Sequence, residues 1–305
     1  MSTFLQSKDW FDFQRSLGRS VFEYDKDGIK TGVIKLPEPF KKSYLYIAHG
    51  PEADFNSMTG GLKNPIKNFL VWLKDLAKKE KSIFIKIEPL SDSVAQTLAE
   101  HGFKKSKKEI QPSRTVVVDL IKSENELLDA MHHKTRYNVK VAEKNGIEIK
   151  ESDDFESFWK LIKKTSKRDK FSSHSKDYYQ KLLNFFSGDR EIKTKLHLAF
   201  YQDKPIAGLV LLTYKDSAFY LHGASDYDYR SFMAPHKLHW EVIKKLKASG
   251  FKLYDFWGID SRKWPGVTRF KLGWGGRVVE HPGSFDLSIS WLWFLAYKMA
   301  RKLNP

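Results

Sequence analysis

Short strand-like segments alternate with amphipathic helical segments along almost the whole chain, and this alternation limits the possible folds more than any other feature of the sequence. Runs rich in β-branched and aromatic residues between Gly and Pro predict strands, and apolar residues at helical spacing predict helices. Strands are predicted at residues 21–24, 31–36, 43–47, 83–87, 115–120, 147–150, 195–201, 206–214, 218–222 and 253–257, and helices at residues 10–17, 64–79, 91–101, 124–131, 134–145, 155–165, 176–185 and 236–248. Because the order is not strictly βαβ, we predict an α/β fold (α+β, mixed sheets) in which mainly antiparallel sheets carry helices.

A charged segment interrupts this pattern about a third of the way along the chain. Residues 104–109 have the sequence KKSKKE, and Gln111 and Pro112 follow them, a combination typical of a surface connection. With 305 residues, the chain is long enough for two domains of roughly 150 residues each. We therefore predict a domain boundary after residue 109.

The chain is strongly basic and contains no cysteine. It has 53 Lys plus Arg and 37 Asp plus Glu, so its formal net charge is 53 − 37 = +16. This excess favours a polyanionic partner, such as RNA, DNA, a nucleotide-linked substrate or an anionic membrane surface. The lack of Cys excludes disulfides, thiolate metal sites and a Cys nucleophile. Any catalysis must therefore use oxygen, nitrogen or backbone groups.

Neither end of the chain resembles a segment that crosses a membrane. Residues 1–10 lack the basic and then apolar pattern of a secretory signal, so a cytoplasmic location is expected. Residues 288–303 contain Trp291, Trp293, Phe294 and Tyr297 before a basic end, which is typical of an interfacial helix. That interpretation would place the protein at the inner face of the membrane. The alternative is a terminal helix that packs its apolar face on the protein body.

The most distinctive motif lies near the end of the chain. Residues 254–260 have the sequence YDFWGID, and residues 266–276 have the sequence GVTRFKLGWGG. A strand that ends in Trp-Gly and leads into Gly-rich turns would let the backbone approach a ligand closely. Lys271 would then supply a cation for a phosphate or a developing oxyanion. The alternative is that the glycines only shape turns and that Lys271 is solvated.

Two further segments contain candidate binding residues. Arg136, Lys140 and Lys144 have helical i, i+4 spacing, so they could follow a phosphate backbone or simply form a solvated helix face. Residues 168–179 form a polar loop before a helix, where Tyr hydroxyls could hold a sugar or phosphate or could pack on the sheet. No GxSxG motif is present, which disfavours a serine hydrolase.

In this order, the motifs resemble the Fem family (FemABX type) of peptidoglycan-bridge aminoacyltransferases, non-ribosomal enzymes that use aminoacyl-tRNA. The collinear matches are residues 4–7 with Trp10, residues 87–89, 111–112, 115–120, 135–138, 255–258 and 270–273. The resemblance covers nearly the whole chain and implies two tandem GNAT-like acyltransferase domains. Residues 1–109 plus 283–305 would form the first domain with the acceptor groove, and residues 110–282 the second with the aminoacyl-tRNA end. The long helical arm of some members has no counterpart, so the chain resembles the compact, armless branch.

The resemblance also implies roles for individual residues in the second domain. Lys271 matches the lysine of the family's Phe-Lys motif, near the tRNA 3′ end and the reacting ester, where it would stabilise an oxyanion. Phe270 would stack on the terminal adenosine. His174 and Tyr178 occupy the positions of an Arg-xxx-Tyr pair that binds the acceptor, and Tyr220 aligns near a strand tyrosine of the acceptor site.

In the first domain, the resemblance implies a site for a muramyl peptide precursor, either nucleotide-linked or lipid-linked. Gln14, with Arg15 beside it, stands where compact relatives have a phosphate-binding lysine. Glu88 stands where the family often has Asp before Pro, and it would bind the acceptor amine, act as a base or be structural.

The function implied is aminoacyl transfer from aminoacyl-tRNA to an amine of a peptidoglycan precursor, without metal or cofactor. A GNAT-type N-acyltransferase that uses acyl-coenzyme A is one alternative, although the usual Q/RxxGxG/A loop is not evident. A non-enzymatic basic RNA-binding protein is the other.

Overall fold

The computed structural model describes residues 3–53, 65–169 and 171–303. The chain divides into two compact units, one formed by Thr3–Ser113 with the described residues from Glu280 onward, and the other by Arg114–Val279. The junctions between the units therefore lie at residues 113/114 and 279/280. The boundaries expected from the sequence are residues 109/110 and 282/283.

The first unit is built on a six-stranded mixed sheet in the order β1-β2-β3-β4-β13-β5. Strands β3 and β4 are parallel, and the other neighbours are antiparallel. The strands are β1 (Val21–Lys26), β2 (Ile29–Glu38), β3 (Lys42–Ala48), β4 (Phe84–Glu88), β5 (Lys104–Lys105) and β13 (Phe285–Ser288). Since β13 pairs with both β4 and β5, the C-terminal segment completes the sheet of the first unit.

Among the described residues, the α-helices of this unit are α1 (Lys8–Ser16), α2 (Pro65–Lys79), α3 (Asp92–Glu100) and α10 (Trp291–Leu303). Helix α2 buries Ile66, Phe69, Leu70 and Leu73, as the helical spacing predicts. Residue 64, the predicted start of this helix, lies outside the described residues. Within the described ranges, every helix is too short or too polar to cross a membrane.

The second unit is built on a seven-stranded mixed sheet in the order β12-β6-β11-β10-β9-β8-β7. The pair β10/β11 is parallel, while β6/β11, β9/β10, β8/β9 and β7/β8 are antiparallel. The strands are β6 (Arg114–Asp119), β7 (Glu148–Glu151), β8 (Ile192–Tyr201), β9 (Lys204–Tyr214), β10 (Ser217–Ser225), β11 (Leu253–Gly258) and β12 (Arg277–Glu280). The predicted mixed, mainly antiparallel α/β architecture is thus confirmed in both units.

The helices of the second unit are α4 (Glu124–Ala130), α5 (His133–Lys144), α6 (Phe155–Asp169), α7 (Lys176–Phe185), α8 (Ala234–Ala248) and α9 (Pro265–Leu272). Gly146 has a φ of 69° just after α5, so it ends this helix, for which the sequence predicts residues 134–145. Helix α9 corrects the sequence analysis, which expected turns in this segment. Pro265 occupies one of its first two positions, where the fixed φ of proline suits a helix start.

A buried ion pair joins β4 to β13 within the first unit. Lys86 Nζ lies 2.7 Å from an Asp286 carboxylate oxygen, and both side chains are almost fully buried. Lys86 also donates to Ser284 Oγ, Lys108 O and Ser106 Oγ at 2.8 to 3.1 Å. Because each charge has its partner in the same buried place, losing either one would leave the other uncompensated.

We expect Lys86→Met to lower the free energy of unfolding by about 3–5 kcal/mol, because Asp286 would stay buried without its cation. Urea unfolding followed by circular dichroism would measure this change. Lys30→Met is the matched control, since Lys30 makes an exposed, 3.9 Å pair with Asp25 that contributes less than about 1 kcal/mol. Equal destabilisation by the two variants would contradict a special role for Lys86.

Candidate active site

Lys271 is a buried cation in the last turn of α9. Its side chain is 7% exposed, and its Nζ donates a hydrogen bond of 2.7 Å to the carbonyl of Gly258. Burial lowers the pKa of Lys271 to about 8, against the opposing field of Asp255. Among the described residues, the Gly258 carbonyl is the acceptor found for this ammonium, which carries three protons. The remaining N–H groups can therefore serve a ligand.

An unusual turn places the Gly258 carbonyl. Trp257 has a φ of +59°, a left-handed conformation that costs a non-glycine residue about 1 kcal/mol or more. Asp255 stabilises this turn by accepting the Trp257 N–H at 2.7 Å, and the Thr115 hydroxyl contacts both the Asp255 carboxylate and the Trp257 carbonyl. Burial raises the pKa of Asp255 to about 6, although these hydrogen bonds oppose the shift. The turn is thus fixed from two strands, β6 and β11.

Lys271 lies where two parallel strands stop pairing. Strands β10 and β11 pair only from Ser217 with Leu253 to Phe219 with Asp255. Beyond this point β10 has an irregularity between Tyr220 and His222. Lys271 Nζ lies 5.4 Å from the centre of the Tyr220 ring, so the structure brings these two predicted site residues together. Burial raises the pKa of Tyr220 to about 12, so its hydroxyl stays protonated at neutral pH.

Phe270, the other half of the predicted Phe-Lys motif, is partly buried. Its ring packs at 5.1 Å from the ring of His236 and at 5.3 Å from that of His239. His239 also lies 4.5 Å from the Tyr220 ring, and its Nδ1 is 2.8 Å from the Tyr254 hydroxyl. His239 was not among the residues predicted from the sequence. Its ring packs against the rings of both Phe270 and Tyr220 and so helps to fix their positions.

His174 and Tyr178, which the family resemblance assigns to the acceptor site, lie together. Their rings stack with centroids 4.1 Å apart at the start of α7. The ring of His222, on β10, is 5.7 Å from that of His174 and 4.8 Å from that of Tyr179. Burial lowers the pKa of His222 to about 3, so it is neutral at physiological pH. The cluster offers imidazole and phenol groups in place of a permanent guanidinium.

In the first unit, Glu88 is buried at the end of β4 and fully engaged. It accepts hydrogen bonds from the Tyr46 hydroxyl at 2.5 Å and from the N–H groups of Ile110 and Gln111 at 2.6 and 2.9 Å. Burial raises its pKa, and these three bonds oppose the shift. The contacts give Glu88 a clear structural task, which is to hold residues 110–111 against β4.

Gln14 and Arg15, the predicted phosphate contacts, lie on different sides of α1. Gln14 is 2% exposed and its Oε1 accepts from Arg19 Nη1 at 2.5 Å. Arg15 is paired with Asp12 at 2.8 Å and with Glu23 at 2.6 Å. No carboxylate in the described part of the chain pairs with Arg19. No motif points to Arg19, and its hydrogen bond to Gln14 becomes visible only in the fold.

The three predicted cations of the basic helix α5 differ in their surroundings. Arg136 donates through Nη1 to the carbonyls of Leu128, Asp129 and Met131 at 2.6 to 3.1 Å, and so caps α4. Lys140 and Lys144 are exposed. A cleft of about 470 Å³ adjoins this helix and is lined by Asn125, Leu128, Asp129, Arg136, Val139, Lys140, Glu143 and Trp240. Its charges are of both signs.

The glycines after α9 serve packing. Gly275 has a φ of +73°, and a Cβ there would come within 2.2 Å of the Ala130 carbonyl oxygen. The structure thus supports the alternative that these glycines shape the chain, while Lys271 is buried and not solvated. Among the described residues, no group of three or more His, Asp or Glu is arranged to hold a metal ion.

Known proteins resemble this chain in sequence and in fold. The Lipid II:glycine glycyltransferase of Staphylococcus epidermidis is 26% identical, and the match covers 99% of this chain and 91% of that protein. The crystal structure of FemX superposes with a TM-score of 0.80 at 22% identity, covering 97% of this chain and 94% of that one. A tandem GNAT protein from the clavulanic acid biosynthesis pathway superposes with a TM-score of 0.56 at 10% identity, covering 89% and 83%. The predicted pair of GNAT-like domains is thereby confirmed as the fold.

The family model supplies the remaining evidence. The model of the FemAB family matches residues 94–204 and 191–302, which together span most of the 305 residues. Since the fold of FemX and the sequence of a glycyltransferase extend over nearly the same length, the match is not limited to a shared motif. This chain belongs to the FemAB family.

Proposed function

We propose that this protein is an aminoacyltransferase that moves an amino acid from aminoacyl-tRNA to an amine of a peptidoglycan precursor, in the formation of an interpeptide bridge. Membership of the FemAB family and similarity to glycyltransferases support transfer of an aminoacyl group. The observation that carries the proposal is the buried Lys271 ammonium, which keeps N–H groups for a ligand beside its bond to Gly258.

The proposed reaction needs alignment and charge stabilisation more than covalent catalysis. The lone pair of the acceptor amine attacks the carbonyl carbon of the aminoacyl ester and forms a C–N bond, and the carbonyl oxygen becomes an oxyanion. The C–O bond to the tRNA ribose then breaks, and the proton lost by the amine ends on the ribose oxygen. A preorganised cation beside the oxyanion lowers the barrier to both steps.

Lys271 suits this role because of where it is buried. A charge in a site from which water is excluded acts more strongly than it would in water. With a pKa of about 8, Lys271 is largely protonated at neutral pH. The Gly258 carbonyl fixes the Nζ position, so the ammonium need not reorient when negative charge develops.

Neighbouring residues of the second unit would bind the two substrates. The partly exposed Phe270 is placed one residue before Lys271, where it would stack on the terminal adenosine of tRNA. Tyr220, with its protonated hydroxyl, would donate a hydrogen bond to the acceptor. His174 and Tyr178 would form a further part of the acceptor site.

The contacts of Glu88 favour a positioning role over that of a base. All three of its hydrogen-bond donors hold it in place, and two of them belong to residues 110–111. We propose that Glu88 fixes this segment of the first unit, and that any interaction with the acceptor amine is secondary.

The acceptor is proposed to be a muramyl peptide precursor, nucleotide-linked or lipid-linked. The name of the Staphylococcus epidermidis relative includes lipid II, a lipid-linked compound, which supports the second form. A lipid-linked acceptor would place the protein in the cytoplasm at the inner face of the membrane, with α10 as the proposed contact.

We expect Lys271→Ala to lower the single-turnover transfer rate by about 10²–10³, the usual effect of losing one oxyanion donor. Binding of aminoacyl-tRNA should change little. Quenched-flow transfer and filter binding would measure the two quantities, and Lys193→Ala, at an exposed position of β8, is the matched control. Transfer at the wild-type rate in Lys271→Ala would remove this residue from the mechanism.

The pH dependence of transfer tests the same residue independently. Because burial lowers the pKa of Lys271 to about 8, the ammonium is lost as the pH rises above that value, and the wild-type rate should fall there. In Lys271→Arg the guanidinium stays protonated, so the falling limb near pH 8 should disappear. A wild-type rate that keeps rising through pH 9 would contradict an ammonium role.

Donor binding should depend on the two exposed cations of α5. Replacing both Lys140 and Lys144 with Ala should weaken tRNA binding and lower the slope of log K against log[salt] by about 1–2. Fluorescence anisotropy at several salt concentrations would measure the slope. Arg136→Ala should mainly destabilise the fold, since Arg136 caps α4. An unchanged slope in the double variant would place the tRNA elsewhere.

Acceptor binding should depend on Arg19 more than on Arg15. Arg19→Ala should raise the Kd for a nucleotide-linked muramyl peptide about tenfold or more, because a charge-assisted hydrogen bond to phosphate contributes about 1.5–3 kcal/mol. Arg15→Ala should have a smaller effect, since Arg15 is already paired with Asp12 and Glu23. Titration calorimetry would compare them, and the opposite ranking would refute this assignment.

A further inference from the structure

Helix α10 displays a stripe of large apolar side chains to solvent. Trp291, Leu292, Leu295 and Met299 are 67%, 62%, 48% and 60% exposed. Residues 292, 295 and 299 have the i, i+3, i+7 spacing of one helix face, so the stripe is continuous. Exposed apolar patches of this kind mark interaction surfaces.

The opposite face of α10 already holds the helix on the first unit. Phe294 and Tyr297 pack on Phe84, with ring centroids 5.0 and 4.8 Å apart, and Tyr297 also approaches Tyr44. The exposed stripe is therefore not required for docking the helix. Its apolar side chains need another explanation.

The β2–β3 hairpin, which contacts α10, carries a further exposed aromatic side chain. Phe40, at the hairpin tip, is 85% exposed and has a φ of +59°. Phe40 thus adopts a strained backbone conformation, although its side chain remains mostly exposed. Both strands of the hairpin contact α10, through Glu38 with Arg301 at 3.0 Å and Lys42 with the Trp293 ring at 4.1 Å.

Several lysines lie on the same elements as these apolar side chains. Lys41 and Lys42 follow Phe40, and Lys298 lies over the Phe294 ring at 4.3 Å. Lys108 Nζ donates to the Arg301 carbonyl at 2.9 Å, which places this lysine at the C-terminal part of α10. Exposed apolar side chains and lysines therefore occur together on α10 and at the tip of the hairpin.

We propose that this surface, which we call the α10 surface (Phe40, Trp291, Leu292, Leu295 and Met299 with Lys41, Lys42 and Lys298), binds to an anionic phospholipid bilayer. The apolar side chains would enter the boundary between headgroups and acyl chains, and the lysines would contact lipid phosphates. A second copy of the chain is a poorer occupant, because pairing the surface with itself would oppose like charges. The inference rests on the proposed function only in giving the membrane a purpose, which is access to a lipid-linked acceptor.

Sedimentation with lipid vesicles tests the proposal without any substrate. Wild-type protein should bind vesicles of phosphatidylcholine with phosphatidylglycerol, and bind vesicles of phosphatidylcholine alone much more weakly. The double variant Leu292→Gln, Leu295→Gln should bind the anionic vesicles at least about tenfold more weakly, since two apolar side chains would no longer leave water. Lys41→Glu with Lys298→Glu should remove the preference for anionic lipid.

Ile121→Gln is the matched control, because Ile121 is 70% exposed but lies in the second unit. It should bind as the wild type does. Failure of the wild type to bind anionic vesicles, or undiminished binding by the Leu292 and Leu295 double variant, would overturn the proposal. So would a wild-type dimer in light scattering that this variant converts to a monomer, because the surface would then belong to a second copy.

A parallel assay separates this inference from the proposed function. Transfer to a water-soluble, nucleotide-linked acceptor should proceed equally in the wild type and in the Leu292 and Leu295 double variant. If the wild type binds vesicles but transfers nothing, the proposed function fails and the membrane inference stands. If it transfers but binds no vesicles, the reverse holds.

Discussion

The hydrogen bond between the buried Lys271 ammonium and the Gly258 carbonyl is the interaction on which the candidate site depends. A cation this deeply buried must find an oxygen nearby, and here the backbone supplies it. The carbonyl is available because Trp257 turns into the left-handed region at the end of β11, and Asp255 with Thr115 stabilises that turn. The strand, the turn and helix α9 together therefore define where a negative charge can be stabilised.

Each unit places its candidate residues where a parallel pair of strands ends. In the second unit, β10 and β11 stop pairing after Phe219 and Asp255, and Tyr220 and Gly258 follow. In the first, β3 and β4 pair up to Ala48 and Glu88, and Glu88 there accepts three hydrogen bonds. Polar groups are left without sheet partners at such ends, so they can bind side chains or ligands. The two strand ends differ. Near the end of β11, the Gly258 carbonyl accepts one hydrogen bond from the Lys271 ammonium, which has further N–H groups for a ligand. At the end of β4, the Glu88 carboxylate already accepts three hydrogen bonds from the protein.

Sequence periodicity predicted the long elements well because burial of one face repeats over several turns or strand residues, as in α2. It failed for α9, where Gly266 and Thr268 interrupt the apolar pattern, and for β5, β12 and β13, which are too short to show a period. The motif was enough to select Lys271 as a candidate residue. The carbonyl of Gly258, which accepts the Lys271 hydrogen bond, could not be predicted, because its position depends on the conformation of Trp257. Residue spacing also could not predict that Arg136 caps α4 or that Arg19 donates a hydrogen bond to Gln14, because both depend on tertiary contacts.

In the proposed reaction, an aminoacyl group passes from tRNA to an amine beside Lys271. The decisive measurement is the product mass after the protein is incubated with a pool of charged tRNAs and a muramyl peptide precursor, soluble or lipid-linked, with acyl-coenzyme A in a parallel reaction. We expect a precursor heavier by one or more amino acid residues, formed only with charged tRNA. A product formed from acyl-coenzyme A without tRNA would refute the proposed reaction.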